Sequence, residues 1–151
     1  IIAIGRDDGS IAIHNLRDPD HVTVLRDHGS AVTCMDWYGL AFFVSAGRDS
    51  ILNMWRIIEV KPTATNRKKS KKKQKTKQDE EAESIVRRAY RRVQTLPVYE
   101  QIEGMVLIPD SVQDELMVAT AGSKGVVRMW KTHLSATVTP ELKLFLEQPK
   151  S

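Results

Sequence analysis

Two ten-residue stretches constrain the fold more than anything else in this 151-residue chain. Residues 46–55 read AGRDSILNMW and residues 121–130 read AGSKGVVRMW. Both open on Ala-Gly and both close on Met-Trp. His14 stands where the two tryptophans stand in an earlier, more diverged copy, and Asp8, Asp49 and Lys124 each lie six residues before His14, Trp55 and Trp130. The first interval, His14 to Trp55, is 41 residues. The second, Trp55 to Trp130, is 75, and the excess is close to the length of a charged segment lying between them. A period of about 40–45 residues means that one supersecondary unit is stacked on its copies to bury a face none could bury alone.

The units are built from short apolar runs. They fall at 1–5, 10–16, 21–25, 31–37, 41–47, 50–57, 95–98, 103–108, 116–122, 126–131 and 142–146. Turn residues separate them, among them Arg6-Asp7-Asp8-Gly9, Tyr38-Gly39 and Arg48-Asp49. Many short strands at close spacing predict an all-β, antiparallel architecture. Four strands per unit with a Trp ending the third resemble the blades of a WD40 β-propeller. The expected fold is a WD40 propeller fragment of about two and a half blades, with a disordered basic insert and a short helix. Residues 1–26 end one blade, 27–57 give the first three strands of the next, 58–93 are the insert, and 94–151 supply the delayed fourth strand and a degenerate further blade. The chain begins on Ile1, inside an apolar run, and reads as a segment of something longer. Two and a half blades cannot close a ring, so the segment alone is expected to expose β edges.

The WD40 resemblance implies a hydrogen-bonded chain in each regular blade: His before the first strand, Ser or Thr on the second, Asp in the following turn, Trp on the third. By motif position these are His28, Ser45, Asp49 and Trp55, with Asp27-His28 standing where the family usually has Gly-His. A buried carboxylate needs donors, and an imidazole N–H supplies one. The other ring nitrogen accepts from the hydroxyl, and the indole N–H completes the chain. In the third unit the Asp position is Lys124 and the His position falls near Tyr99, so both partners are missing together. The His belonging to Asp8 is expected upstream of Ile1.

His28, Ser45 and Asp49 have the residue types of a hydrolytic triad. No nucleophile elbow or oxyanion signature accompanies them, and the structural reading is preferred. His14, His21 and His133 are too scattered for a metal site, and a single cysteine, Cys34, reads as a small core residue. With no nucleotide loop, metal set or acid/base pair, no catalytic residue, cofactor or small-molecule substrate is assigned. No apolar run approaches the ~20 residues that span a bilayer, so no membrane partner is expected.

The net charge of +4 hides an asymmetry. Residues 67–92 hold twelve Lys/Arg against four Asp/Glu, so the remainder is mildly acidic. Residues 66–78 read NRKKSKKKQKTKQ, in which Arg67, Lys68, Lys69, Lys71, Lys72, Lys73, Lys75 and Lys77 meet no acid and no apolar residue. Such a stretch cannot offset its ordering entropy and is expected to be disordered. It is a candidate import signal or a phosphate contact for RNA, sequence-blind because no stacking aromatics are interleaved. After it, Ala82, Ile85, Val86, Ala89, Tyr90 and Val93 recur at helical spacing. Acids crowd the start and arginines the end, which predicts an amphipathic helix over about 79–93.

A narrower resemblance lies in residues 95–103, TLPVYEQIE, at the join between two blades, and continues through MVLIP at 105–109 and ATAG at 119–122. These resemble the transducin beta-like protein three family, tandem-propeller WD40 proteins of the UTP-B subcomplex in the small-subunit processome. The resemblance implies a nucleolar, non-enzymatic scaffold that supports rRNA precursor processing. Its partners would be other UTP-B-type proteins and the pre-rRNA and small nucleolar RNA particle. The lysine-rich insert departs from the shorter join expected there. Alternatives are a WD40 adaptor of another nuclear complex, such as a ubiquitin-ligase substrate receptor, and a nucleic-acid-binding module acting through the lysine-rich insert.

Overall fold

A computed structural model describes residues 1–60, 87–109 and 115–134, together with the backbone of strand 141–147. Among these residues eleven strands form three antiparallel sheets. The first sheet has β1 (Ile2–Gly5), β2 (Ser10–Asn15) and β3 (Asp18–Arg26) in that order. The second runs β4 (Val32–Tyr38), β5 (Phe42–Gly47), β6 (Ile51–Val60), β7 (Arg87–Pro97). The third runs β8 (Ile102–Pro109), β9 (Glu115–Gly122), β10 (Val126–His133), β11 (Glu141–Glu147). Each sheet is a meander in which chain neighbours are also spatial neighbours.

The repeat seen in the sequence is a repeat of turns. Gly9 N donates to Arg6 O at 3.1 Å, Ser50 N to Gly47 O at 3.3 Å and Gly125 N to Gly122 O at 3.0 Å. The fourth residue of each turn has positive φ: 81° at Gly9, 63° at Ser50 and 74° at Gly125. Glycine enters this region freely, whereas Ser50 does so at a steric cost. The first aspartate of the series holds its turn locally: Asp8 Oδ1 accepts from Ser10 N at 2.9 Å and Ser10 Oγ at 2.6 Å. These two bonds hold the Asp8 carboxyl below the usual carboxylate range.

The sheets stack face to face through two apolar clusters. Ile11 and Ile13 of the first sheet meet Phe43 and Trp55 of the second. The opposite face of the second sheet, with Val44, Ala46, Leu52 and Met54, meets Leu116, Val118 and Trp130 of the third. The alternation of a strand is what lets one sheet serve both interfaces. Trp55 and Trp130 each face the preceding sheet, and Phe43 stacks on Trp55 with centroids 5.6 Å apart. First strands lie beside first strands. Val32 N donates to Arg6 O at 3.1 Å, Thr33 Oγ1 to Ile102 O at 2.5 Å and Leu107 N to Asp36 Oδ2 at 3.3 Å. Cys34 is half-buried against the second cluster, and burial pushes its thiol pKa up.

The helix expected over 79–93 is corrected. Residues 87–93 belong to β7, and residues 79–86 lie outside the described residues. From Arg87 to Tyr90 the chain alternates outward and inward, with Tyr90 packed edge-on against Phe43 at 6.0 Å. Val93 is the extra residue of a bulge, since Met54 pairs with Gln94 and Trp55 with Arg92. Tyr90 packs against the first cluster and Val93 against the second, so both faces of the strand meet apolar neighbours, and their spacing coincides with that of a helix. Pairing with β6 overrides the helical preference of the arginine-rich sequence. Burial pushes the Tyr90 hydroxyl pKa up.

Candidate functional site

The second sheet and the loop that enters it carry the most connected polar group. His28 lies in the loop between β3 and β4, and its side chain is fully buried. Its Nδ1 lies 2.9 Å from Asp49 Oδ2 and its Nε2 lies 2.8 Å from Ser45 Oγ. A carboxylate only accepts, so Nδ1 carries the proton and Nε2 is the acceptor. Trp55 Nε1, a donor only, gives its hydrogen bond to Ser45 Oγ at 2.9 Å. The Ser45 hydroxyl therefore accepts from Trp55 and donates to His28. Asp49 also accepts from Gly29 N at 2.9 Å and Ile51 N at 3.2 Å. Asp49 thus performs the local task of Asp8 and also binds the loop of the neighbouring connection.

Asn53 extends the group and was missed in the sequence. Its Nδ2 lies 3.3 Å from His28 Nε2 and 3.4 Å from Asp27 O, while its Oδ1 accepts from Thr95 Oγ1 at 2.8 Å. Its signal was a polar residue in an otherwise apolar run, ILNMW. The chemistry of a serine nucleophile is closed to this arrangement. Ser45 is fully buried, and its oxygen is held between His28 and Trp55 with no path to a substrate.

The third sheet keeps half of this group. Trp130 Nε1 donates to Thr120 Oγ1 at 3.3 Å, as Trp55 does to Ser45. Tyr99, near the expected His position, is 78% exposed and takes no part in the core. Glu100 turns inward instead and is buried. Its carboxylate accepts from Lys124 N at 3.3 Å and forms an ion pair with Arg128. Arg128 occupies the position equivalent to Asn53, two residues before the Trp. The loop-to-turn connection therefore survives with its polarity reversed: acid on the loop, donors on the turn and third strand. Gly122 makes room, because a Cβ there would run into the Glu100 carboxylate.

No family model matches the chain. Its sequence is similar to transducin beta-like protein 3 from Mus musculus, 27% identical over 132 residues, which is 82% of this chain and 13% of that protein. The protein of the same name from Rattus norvegicus matches with the same figures, and that from Bos taurus is 26% identical over 145 residues, 91% of this chain and 14% of the relative. The chain therefore spans a small part of the length of the relatives it matches. A solved chain from the mitotic checkpoint complex, 14% identical, aligns over 97% of this chain and 50% of its own with a TM-score of 0.38.

The fold is a fragment of a WD40 β-propeller. Its sheets are blades, and the chain resembles transducin beta-like protein 3. The His28–Asp49 contact ties the loop entering the middle blade to a turn inside that blade. Further contacts join it to the following blade: Arg48 pairs with Glu103 at 3.5 Å and Gln94 Nε2 donates to His133 O at 3.2 Å.

The eight basic candidates Arg67, Lys68, Lys69, Lys71, Lys72, Lys73, Lys75 and Lys77 lie outside the described residues. The strands on either side of them, β6 and β7, are described, and they carry a further set of arginines that the helix expectation concealed. Among the described residues no group of three or more His, Cys, Asp or Glu could hold a metal ion. No described helix is long and apolar enough to cross a membrane.

Proposed function

We propose that this WD40 chain is a non-enzymatic scaffold of the small-subunit processome, acting in the nucleolus to support rRNA precursor processing. The observation that carries the reading is the similarity to transducin beta-like protein 3 across most of the chain, including the blade join at 95–103. The blade geometry fits a binding role: rigid sheets with cross-linked loops hold partners in fixed relation without chemistry. Partners under this reading are other UTP-B-type proteins and the pre-rRNA and small nucleolar RNA particle. The His28, Ser45, Asp49 and Trp55 group serves rigidity, and the lysine run 68–77 serves import or phosphate contact.

The test is purification of the tagged full-length protein from growing cells. UTP-B-type proteins and rRNA precursor are expected in the eluate, and the tagged protein is expected in nucleoli. Recovery of ubiquitin-ligase subunits, with neither rRNA precursor nor UTP-B-type proteins, would overturn the assignment.

A further inference from the structure

The β6–β7 pair runs past the rest of its blade. β5 stops against it at Phe42, opposite Arg56, while β6 continues to Val60 and β7 begins at Arg87. The pairs Ile57↔Tyr90, Ile58↔Ala89, Glu59↔Arg88 and Val60↔Arg87 form a two-stranded ribbon. Opposed residues share a face. On one face Tyr90 packs on Phe43 and Arg88 pairs with Glu59 at 3.6 Å. The other face sets Arg56 opposite Arg91, Ile58 opposite Ala89 and Val60 opposite Arg87, and all six are exposed. No acid stands on it. Among the described residues no ion pair engages Arg56, Arg87 or Arg91.

Like charges directly opposed destabilise a sheet. Cations do protect an open strand edge from pairing with other chains, which accounts for arginines on β7. It does not account for Arg56, whose strand is paired on both sides. The Arg56 guanidinium lies 5.9 Å from the centre of the Phe42 ring, so it is held on this face. An anion bridging Arg56 and Arg91 would remove their repulsion.

We propose that this ribbon face binds the phosphate backbone of RNA, with Arg56, Arg87 and Arg91 as the contacts. Guanidinium groups match phosphate with two parallel hydrogen bonds. A polyphosphate is favoured over an acidic peptide by charge density: the 26 residues joining the two strands of the ribbon hold nine Lys/Arg, eight of them between 67 and 77, against four acids at 79–83. Contacts of this kind position RNA and do not read its sequence. The inference rests on the proposed function for RNA as the polyanion.

The test uses purified full-length protein and a labelled single-stranded RNA of one repeated base. The lysines of 68–77 are first replaced by Gln, so that the ribbon is read by itself. Adding Arg56→Gln, Arg87→Gln and Arg91→Gln is expected to weaken binding at moderate salt about tenfold or more. The slope of log K against log salt should fall by about 2, from ~0.7 per phosphate contact on a single strand. Because the repulsion is relieved, the melting temperature of Arg91→Gln without RNA should hold or rise, which separates the effect from misfolding. Unchanged affinity and slope in the triple variant would overturn the proposal. So would polyglutamate binding as tightly as RNA and being lost in the same variant, which would assign the face to an acidic peptide. The measurement uses purified components, so it can succeed where recovery of processome proteins fails, and the reverse.

Discussion

The carboxylate of Asp49 and the imidazole of His28, 21 residues apart in sequence, lie 2.9 Å from each other with both side chains almost wholly out of solvent. Each is also bonded elsewhere, His28 through Nε2 to Ser45 Oγ at 2.8 Å and Asp49 through Oδ1 to the Ile51 N–H at 3.2 Å. The backbone N–H of Gly29 adds a second bond from the same loop to the same carboxylate oxygen. Removing Asp49 would therefore strand three donors, the buried imidazole N–H of His28 and the backbone N–H groups of Gly29 and Ile51. Asp49→Ala is expected to cost about 1–3 kcal/mol for the unpaired imidazole N–H. His28→Ala should cost a similar amount. The double variant should be less damaged than the sum of the singles, with a coupling of about 1 kcal/mol or more. Denaturant melts of the full-length protein and its three variants measure the cycle. Additive losses would mean that the two side chains act independently.

The middle of the chain tests a different idea, that one residue type is missing from a turn. Ser50 adopts φ 63° where the equivalent residues are Gly9 and Gly125. A left-handed residue other than glycine costs about 1–2 kcal/mol, partly offset by the greater entropy glycine loses on folding. Ser50→Gly is expected to raise stability by about 0.5 kcal/mol, read as a small rise in melting temperature. Gly9→Ala should do the opposite and more strongly, since its Cβ would strike the backbone carbonyl of His28.

The fold was legible because its signals are periodic. The Ala-Gly…Met-Trp repeat names equivalent turns, and the turns fix which strands are third in their blades. The residues His28, Ser45, Asp49 and Trp55 follow from the same register, and hydrogen bonds join them in the structure. What stayed hidden has no period. Glu100 and Arg128 replace the group once, in one blade, and each alone looks like a surface charge. Only burial and the space left by Gly122 reveal them as a pair. The ribbon was hidden for another reason. Tyr90 packs against one apolar cluster and Val93 against the other, so apolar residues fall on both faces of this strand and their spacing imitates a helix although the backbone is extended.

The reversed link of the third blade is expected to be specific to its own partners. Gly122→Ala places a methyl group into the Glu100 carboxylate and should destabilise by about 1–3 kcal/mol, the range for overpacking. Glu100→Ala should itself cost several kcal/mol, because it leaves Arg128 charged in a site where its side chain is only 13% exposed. The informative variant is the pair. With Glu100 already alanine, the added methyl at position 122 meets open space, and the further loss should be near zero. A full additional penalty in the double variant would show that Gly122 is needed for backbone reasons and not for the acid.

The first blade offers a test by pH. Asp8 has the turn bonds of Asp49 and, among the described residues, no histidine partner, so its effect should be local. Its hydrogen bonds to Ser10 lower its pKa in the folded state relative to the unfolded chain. The sign follows from linkage: with the folded value below the unfolded one, the stabilisation is complete above the ordinary carboxylate range near 4 and fades as pH falls through the folded value. Carbon-detected titration of the Asp8 carboxyl should show a midpoint below that of an unstructured aspartate. In Ser10→Ala, which removes the side-chain bond and leaves the backbone one, the midpoint should rise part of the way back. A midpoint in Ser10→Ala identical to that of the parent would assign the shift to the remaining backbone N–H bond of Ser10 together with Arg26 and Arg6, whose charges also lower it. Raising the salt concentration would then separate the two, removing the part due to the arginines and leaving the part due to the backbone bond.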